Sequence, residues 1–334
     1  MARKKTTYRG IDRQRGLSLV ELMVALVLGL LVVGAAIGVF LSNRQTYTAT
    51  ESLGRVQENA RVAFELMARD LREAGGNPCS NRLPIANVLE NPTSNWFTNF
   101  GDGIRGADGA FALDEPANRV AGTDAVEVMS GVGSGLSVAE HQTSSANFKL
   151  NRTNHGIEPD DVILVCDNRQ ASIAQVTNSN QSNETIVHNT GGGTIGNCTK
   201  AMGVPVVCGC TGSPGNQCSD HEYGANSTIV RLHAVRWFIG DNPDGGRSLY
   251  RSVLRRGVMG DPEEVTDGVE DMQITYLLPG ANNYVDADSV GTRWQEVLAA
   301  RIELQLEGDD RVGLDGEVIE RELVHIATLR NRNA

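Results

Sequence analysis

The chain has 334 residues, 40% of them hydrophobic and 5% aromatic, which suits about two domains or one large domain with an appendage. Its formal net charge is −11, but residues 1–16 hold Arg3, Lys4, Lys5, Arg9, Arg13 and Arg15 against Asp12, so the leader is +5 and the remainder −16. An acidic body of this kind excludes non-specific binding to nucleic acid or anionic lipid, since both need positive charge.

The first predicted element begins where the basic leader ends. Residues 17–41 form an apolar run of 25 residues in which Glu21 is the only charge. About 20 apolar residues span a bilayer core as a helix, and the basic leader is expected to stay cytoplasmic. Three readings compete: a secretory signal cut after the run near Gly34-Ala35-Ala36, a plain uncleaved anchor, and cleavage between Gly16 and Leu17 that leaves the helix on the mature chain. Glu21 decides for the third. A carboxylate within a membrane helix costs about 2.5–3.5 kcal/mol at the centre and less near the interface, and such groups have partners. Cleavage frees the amine of Leu17 about 6 Å along the axis and on the same face. A staggered neighbouring helix could bring that ammonium to Glu21, and the pair would fix register between subunits.

The run Arg15-Gly16-Leu17-Ser18-Leu19-Val20-Glu21-Leu22-Met23-Val24-Ala25 resembles the prepilin signal of type IV pilins and type II secretion pseudopilins. The resemblance implies a prepilin peptidase that cuts after Gly16 and methylates Leu17. Many major pilins have a proline where Gly38 stands, so their kink is not expected here. Gly29, Gly34 and Gly38 each weaken the helix by about 1 kcal/mol relative to Ala, which serves either local unwinding or close packing between helices.

No proline occurs from residue 17 to residue 77. Leu53, Val56, Ala60, Ala63, Met67, Leu71 and Ala74 recur at three- and four-residue steps, predicting an amphipathic continuation over 42–76 whose apolar face meets a sheet. Gly75-Gly76 and then Pro78 stop it. Residues 77–122 read as a long loop. Strands are expected at 124–129, 162–166, 171–177, 184–188, 228–239, 248–254, 269–278, 294–306 and 318–328, with a hairpin loop at 241–246. A helix first and antiparallel strands afterwards predict an α+β class, pilin-like, with a β-rich periplasmic body over 77–334 and a Cys/Gly-rich loop at 189–226.

The body also resembles the PilW-type minor pilins, through residues 58–76, through 237–251 (Trp237-Phe-Ile-Gly-Asp-Asn-Pro-Asp-Gly-Gly-Arg-Ser-Leu-Tyr-Arg251), and through 269–276 with Trp294. That resemblance implies a structural, non-enzymatic role in initiating or capping a type IV pilus, and so in adhesion and twitching motility. The implied partners are prepilin peptidase, other minor pilins, the major pilin, the inner membrane before assembly, and a tip adhesin. The implied location is the inner membrane as a single pass, then the pilus at the cell surface. A J-type pseudopilin of a type II secretion system fits the same helix, and a ligand-binding tip module using residues 189–226 is a further alternative.

The remaining motifs carry no catalytic constellation. Gly101-Asp-Gly-Ile-Arg-Gly106 matches a dinucleotide fingerprint but neither follows a predicted strand nor opens a helix. Cys79, Cys166, Cys198, Cys208, Cys210 and Cys218 are disulfide candidates in an oxidising compartment. Cys166–Cys198 is the expected bond, another bond is expected to staple 208–218, and Cys208 and Cys210 are too close to pair easily. Cys208, Cys210, Cys218 and His221 also imitate a zinc cluster, with disulfides favoured. Asp241/Asp244, Asp286/Asp288 and Asp309/Asp310/Asp315 lie in acidic loops without EF-hand spacing. The histidines at 141, 155, 188, 221, 233 and 325 show no nucleophile–base pattern. Arg247, Arg251, Arg255 and Arg256 are read as a solvated strand edge rather than a basic strip. No metal and no cofactor is expected.

Overall fold

In the computed structural model, residues 18–80, 82–111, 115–308 and 317–332 are described. One helix, α1 (Leu19–Glu73), runs through 55 residues, about 83 Å at 1.5 Å per residue. Ser18 caps it: its hydroxyl accepts from the Glu21 backbone N–H at 3.2 Å, satisfying one of the donors a helix start leaves free. The far end stops at Gly75, whose φ of +66° suits glycine. Gly103 packs on it so closely that a Cβ there would lie 2.5 Å from the Gly75 Cα.

The two halves of α1 differ in surroundings. Residues 19–46 are exposed, and burial begins at Ser52 and recurs at Val56, Ala60, Ala63, Met67, Ala68 and Leu71. The expected face is therefore present with one exchange: Ser52, not Leu53, turns inward, against Gly308.

The strands are β1 (Ile85–Asn87), β2 (Ile104–Ala107), β3 (Ala125–Gln142), β4 (Asn147–Leu150), β5 (Val162–Cys166), β6 (Ala171–Gln175), β7 (Asn178–Ser179), β8 (Thr185–Val187), β9 (Thr228–Asp241), β10 (Arg247–Arg255), β11 (Val258–Met259), β12 (Glu263–Asp267), β13 (Val269–Leu277), β14 (Ala299–Glu307) and β15 (Glu320–Thr328), with a short α2 (Ala287–Val290). Among the described residues, twelve strands form one sheet along the path β1-β6-β5-β9-β3-β4-β8-β7, to which β10, β11, β12 and β2 add, and β13-β14-β15 form a second. Every ladder is antiparallel except β1 with β6. The architecture is α+β and pilin-like, as expected.

The differences have physical causes. The expected loop 77–122 contains β1 and β2, which have three and four residues and too little pattern to read. The strand expected at 124–129 runs to Gln142, because Gly131, Gly133 and Gly135 hide its alternation and the ladder to β9 slips between Val132 and Leu136. The strand expected from residue 294 starts at Ala299, after a turn of 3₁₀ helix at Trp294–Glu296.

The core under α1 is shared by both sheets. Val56, Met67 and Leu71 pack with Val126, Val235 and Trp237 of the large sheet and with Met272, Ile302 and Leu304 of the small one. Each buried large aliphatic stabilises the docked helix by about 1.5–3 kcal/mol. A second cluster, around Phe148, Ile163, Val165 and Tyr223, fills the part of the body under residues 189–226.

Candidate functional site: the bare helix and the body that grips it

The exposed half of α1 is greasy on every side. Its most apolar 18-residue window has a mean hydropathy of 2.9, and none of that window is buried. Leu19, Val20, Leu30, Leu31 and Val32 are between 64% and 76% exposed. In water such a surface demands lipid or other helices. Glu21 lies in the first turn of this helix and is exposed. Gly16 and Leu17 fall outside the described residues. Sequence reasoning missed Ser18, although Ser-x-x-Glu ahead of an apolar run is the signature of a helix start.

Between the apolar run and the body lies a short polar stem, residues 42–51. Thr46, Thr48 and Thr50 donate their hydroxyls to the carbonyls of Ser42, Arg44 and Thr46, at 3.0, 3.0 and 2.8 Å. Tyr47 is 71% exposed.

Below the stem the body holds the helix with polar contacts as well as packing. The Trp237 indole N–H donates to Asp70 Oδ2 at 2.9 Å, and Asn59 Nδ2 donates to Asp267 Oδ1 at 2.8 Å. Burial pushes the Asp70 carboxyl up and the neighbouring His233 down. Beyond the helix, Cys79 is bonded to Cys166 at the end of β5, with Cα atoms 6.1 Å apart.

That bond corrects the expected Cys166–Cys198. Along β5, Val162, Leu164 and Cys166 share the face that the segment after the helix covers with Trp96 and Phe97, while Ile163 and Val165 face the other way. Strand alternation therefore aims Cys166 at Cys79. Cys198 instead pairs with Cys208, and Cys210 with Cys218, stapling 208–218 in part as expected. The cysteines of the zinc-like cluster are thus bridged, and His221 Nε2 lies 2.7 Å from Asp167 Oδ2. Among the described residues no group of three or more His, Cys, Asp or Glu is placed to hold a metal. Asp309, Asp310 and Asp315 lie outside the described residues.

Residues 189–226 are pinned from inside. Asn197 is fully buried; its Nδ2 donates to the Gln175 carbonyl at 2.8 Å and its Oδ1 accepts from the Gln175 N–H at 2.8 Å. The Tyr223 N–H donates to His141 Nδ1 at 3.2 Å, and His141 Nε2 meets His188 Nε2 at 3.3 Å. Burial lowers these two imidazoles to about 4 and about 3.

The four arginines are each paired, Arg247 with Glu270, Arg251 and Arg255 with Glu263, and Arg256 with Glu158, so they form no free basic strip. The glycine run at 101–106 leads into β2, and Gly106 is there for packing: a Cβ would collide with the Tyr276 hydroxyl.

A half-bare helix gripped by an antiparallel body defines a pilin-like protein anchored through its N-terminal helix. Residues 236–320 match the family model of type IV pilus-assembly protein W, and residues 11–37 match the prokaryotic N-terminal methylation motif. The first match runs from β9 to the start of β15, through strands that cover the helix; the second spans the cleavage candidate and most of the apolar run. Together they support a type IV pilus minor pilin with a prepilin signal. These are families of structural pilus components, not enzymes. No curated protein and no solved structure matches the chain.

Proposed function

We propose that the chain is cut between Gly16 and Leu17 by prepilin peptidase, methylated on Leu17, and held in the inner membrane as a single pass with its body in the periplasm. It then joins other minor pilins and the major pilin to initiate or cap a type IV pilus, and through that serves adhesion and twitching. The observation that carries this reading is the placement of Glu21: the one carboxylate of the apolar run, in the first turn of α1 and exposed among the described residues. A neighbouring subunit's freed ammonium is the partner such a charge calls for. The match over residues 236–320 favours a pilus over a type II secretion filament. The size and acidity of the body favour scarcity or a tip position over repetition along the filament.

Intact-mass and N-terminal analysis of the membrane-extracted protein tests the processing: the expected product starts at a methylated Leu17. Glu21→Ala is expected to insert normally and to enter sheared pili poorly. A chain still starting at Met1 in working pili, or undiminished entry of the variant, overturns the proposal.

A further inference from the structure

Among the described residues, no strand pairs with the outer side of β15 in the small sheet. The Leu329 N–H donates to the Leu298 carbonyl and the Gly308 N–H to the Ile319 carbonyl, each at 2.9 Å, in register with the uninterrupted β14–β15 ladder. The odd-numbered residues of β15 therefore exchange bonds with β14. Glu320, Glu322, Val324, Ile326 and Thr328 turn their N–H and C=O groups outward, and all five are exposed. Proteins blunt such edges with charged side chains, lysine above all, with proline, a bulge or a covering element, and here the charges stand in the first three positions, Glu320, Arg321 and Glu322. This edge has no lysine, no proline and no bulge over its 9 residues, about 30 Å. Val324 and Ile326 at its centre are 47% and 50% exposed. Its first half is acidic: Glu320 and Glu322 lie on it, and the Glu303 carboxylate of β14 pushes the Glu322 carboxyl up.

We propose that β15 is a docking edge for an extended segment of a different pilin-type subunit, which adds to the small sheet as a fourth strand. The partner segment carries apolar side chains beside Val324 and Ile326 and a lysine or arginine beside Glu320 and Glu322. Backbone pairing supplies affinity and the alternating side chains supply selectivity.

A second copy of β15 does not fit. Antiparallel self-pairing sets a two-fold axis across the sheet, which reverses the α1 lying on it, so the two apolar halves point opposite ways and cannot share one membrane. Parallel self-pairing about a two-fold axis sets each residue level with its own copy, whereas a parallel ladder needs each outward residue opposite an inward one, so the even-numbered N–H and C=O groups of the two copies do not meet. The inference rests on the subunit role proposed above.

The test places a photo-crosslinking amino acid at Ile326 of the full-length chain in piliated cells and maps the adduct by mass spectrometry. The expected product joins residue 326 to an extended segment of another pilin-type subunit. Val324→Pro removes only an outward N–H and leaves the β14 pairing, so adduct yield is expected to fall roughly tenfold or more, while Val324→Ala keeps it. Protease resistance of the body checks folding; if the proline variant fails that check, Val324→Lys replaces it with the same expectation. No adduct, an adduct to a second copy alone, or a yield indifferent to these variants overturns the inference. Absence of the unmodified protein from pili would overturn the subunit role itself, whereas its presence without the adduct sinks only the docking edge.

Discussion

His141 and His188 show how tightly a few side chains set the chemistry of the body. His141 Nδ1 accepts from Tyr223, so neutral His141 donates from Nε2 to His188 Nε2. A further proton on either ring breaks this chain. Both folded values, about 4 and about 3, lie below the ordinary 6.5. The stability they contribute is full above 6.5 and is lost as pH falls through about 4 and then about 3. The His141 shift alone corresponds to roughly 3 kcal/mol. Urea midpoints are expected to fall between pH 7 and pH 4, and the fall should shrink when His141→Phe and His188→Leu are combined. Asp124 behaves in the opposite sense. It is 7% exposed, its Oδ2 accepts from the Ile274 N–H at 2.7 Å, and burial with Asp108, Asp271 and Asp286 nearby raises its carboxyl to about 6. Its contribution is full below the ordinary 3.8 and is lost as pH rises through about 6. Asp124→Asn keeps an acceptor for Ile274 and is expected to stabilise the protein by roughly 1–3 kcal/mol at pH 7.5, with no gain at pH 4 in the same urea titration.

At the level of elements, the second half of α1 depends on a few specific ties. Asp70→Ala leaves the buried indole N–H of Trp237 unpaired and is expected to cost about 1–3 kcal/mol, seen as an earlier thermal transition. Replacing Cys79 and Cys166 by serine opens an 87-residue bridge and is expected to cost about 2–5 kcal/mol, with faster proteolysis after residue 76. The helix itself was legible, since its apolar spacing, the absence of proline and the Gly75-Gly76 stop all point one way. Of the long strands, β13 was legible because its alternation matches a pleat with one buried face, whereas β9, β10 and β15 were legible as apolar runs between turn signals, β9 being buried on both faces. β1 and β2 were not, because short strands gain their structure from the neighbours they join. The Cys79–Cys166 bond was unreadable because it depends on which face of β5 is covered by a segment 87 residues away. The outward N–H groups of β15 were hidden too, since hydrogen-bond parity follows from the ladder and not from residue type.

Over the whole molecule, the prepilin signal was the most legible feature, because a basic leader, Gly16 and Glu21 before an apolar run leave few other meanings. The body's interior begins at Ser52, so residues before it add little to its stability. A chain starting at Thr50 is expected to be monodisperse without detergent. Its unfolding free energy should lie within about 0.5 kcal/mol of the full chain in detergent, and chemical denaturation of both forms checks this. A large deficit would mean that the exposed half supports the fold.

The stem at 42–51 gives the molecule a clearance. Ten helical residues rise about 15 Å, whereas the headgroup layer on one side of a bilayer is about 5–8 Å deep. With the apolar run seated in lipid, as proposed above, the stem would cross that layer and lift the acidic body into the water beyond it. Serine and threonine hydroxyls bonded one turn back, as at Thr46, Thr48 and Thr50, soften a helix at that level. A stem softened in this way would let the body tilt relative to the apolar run.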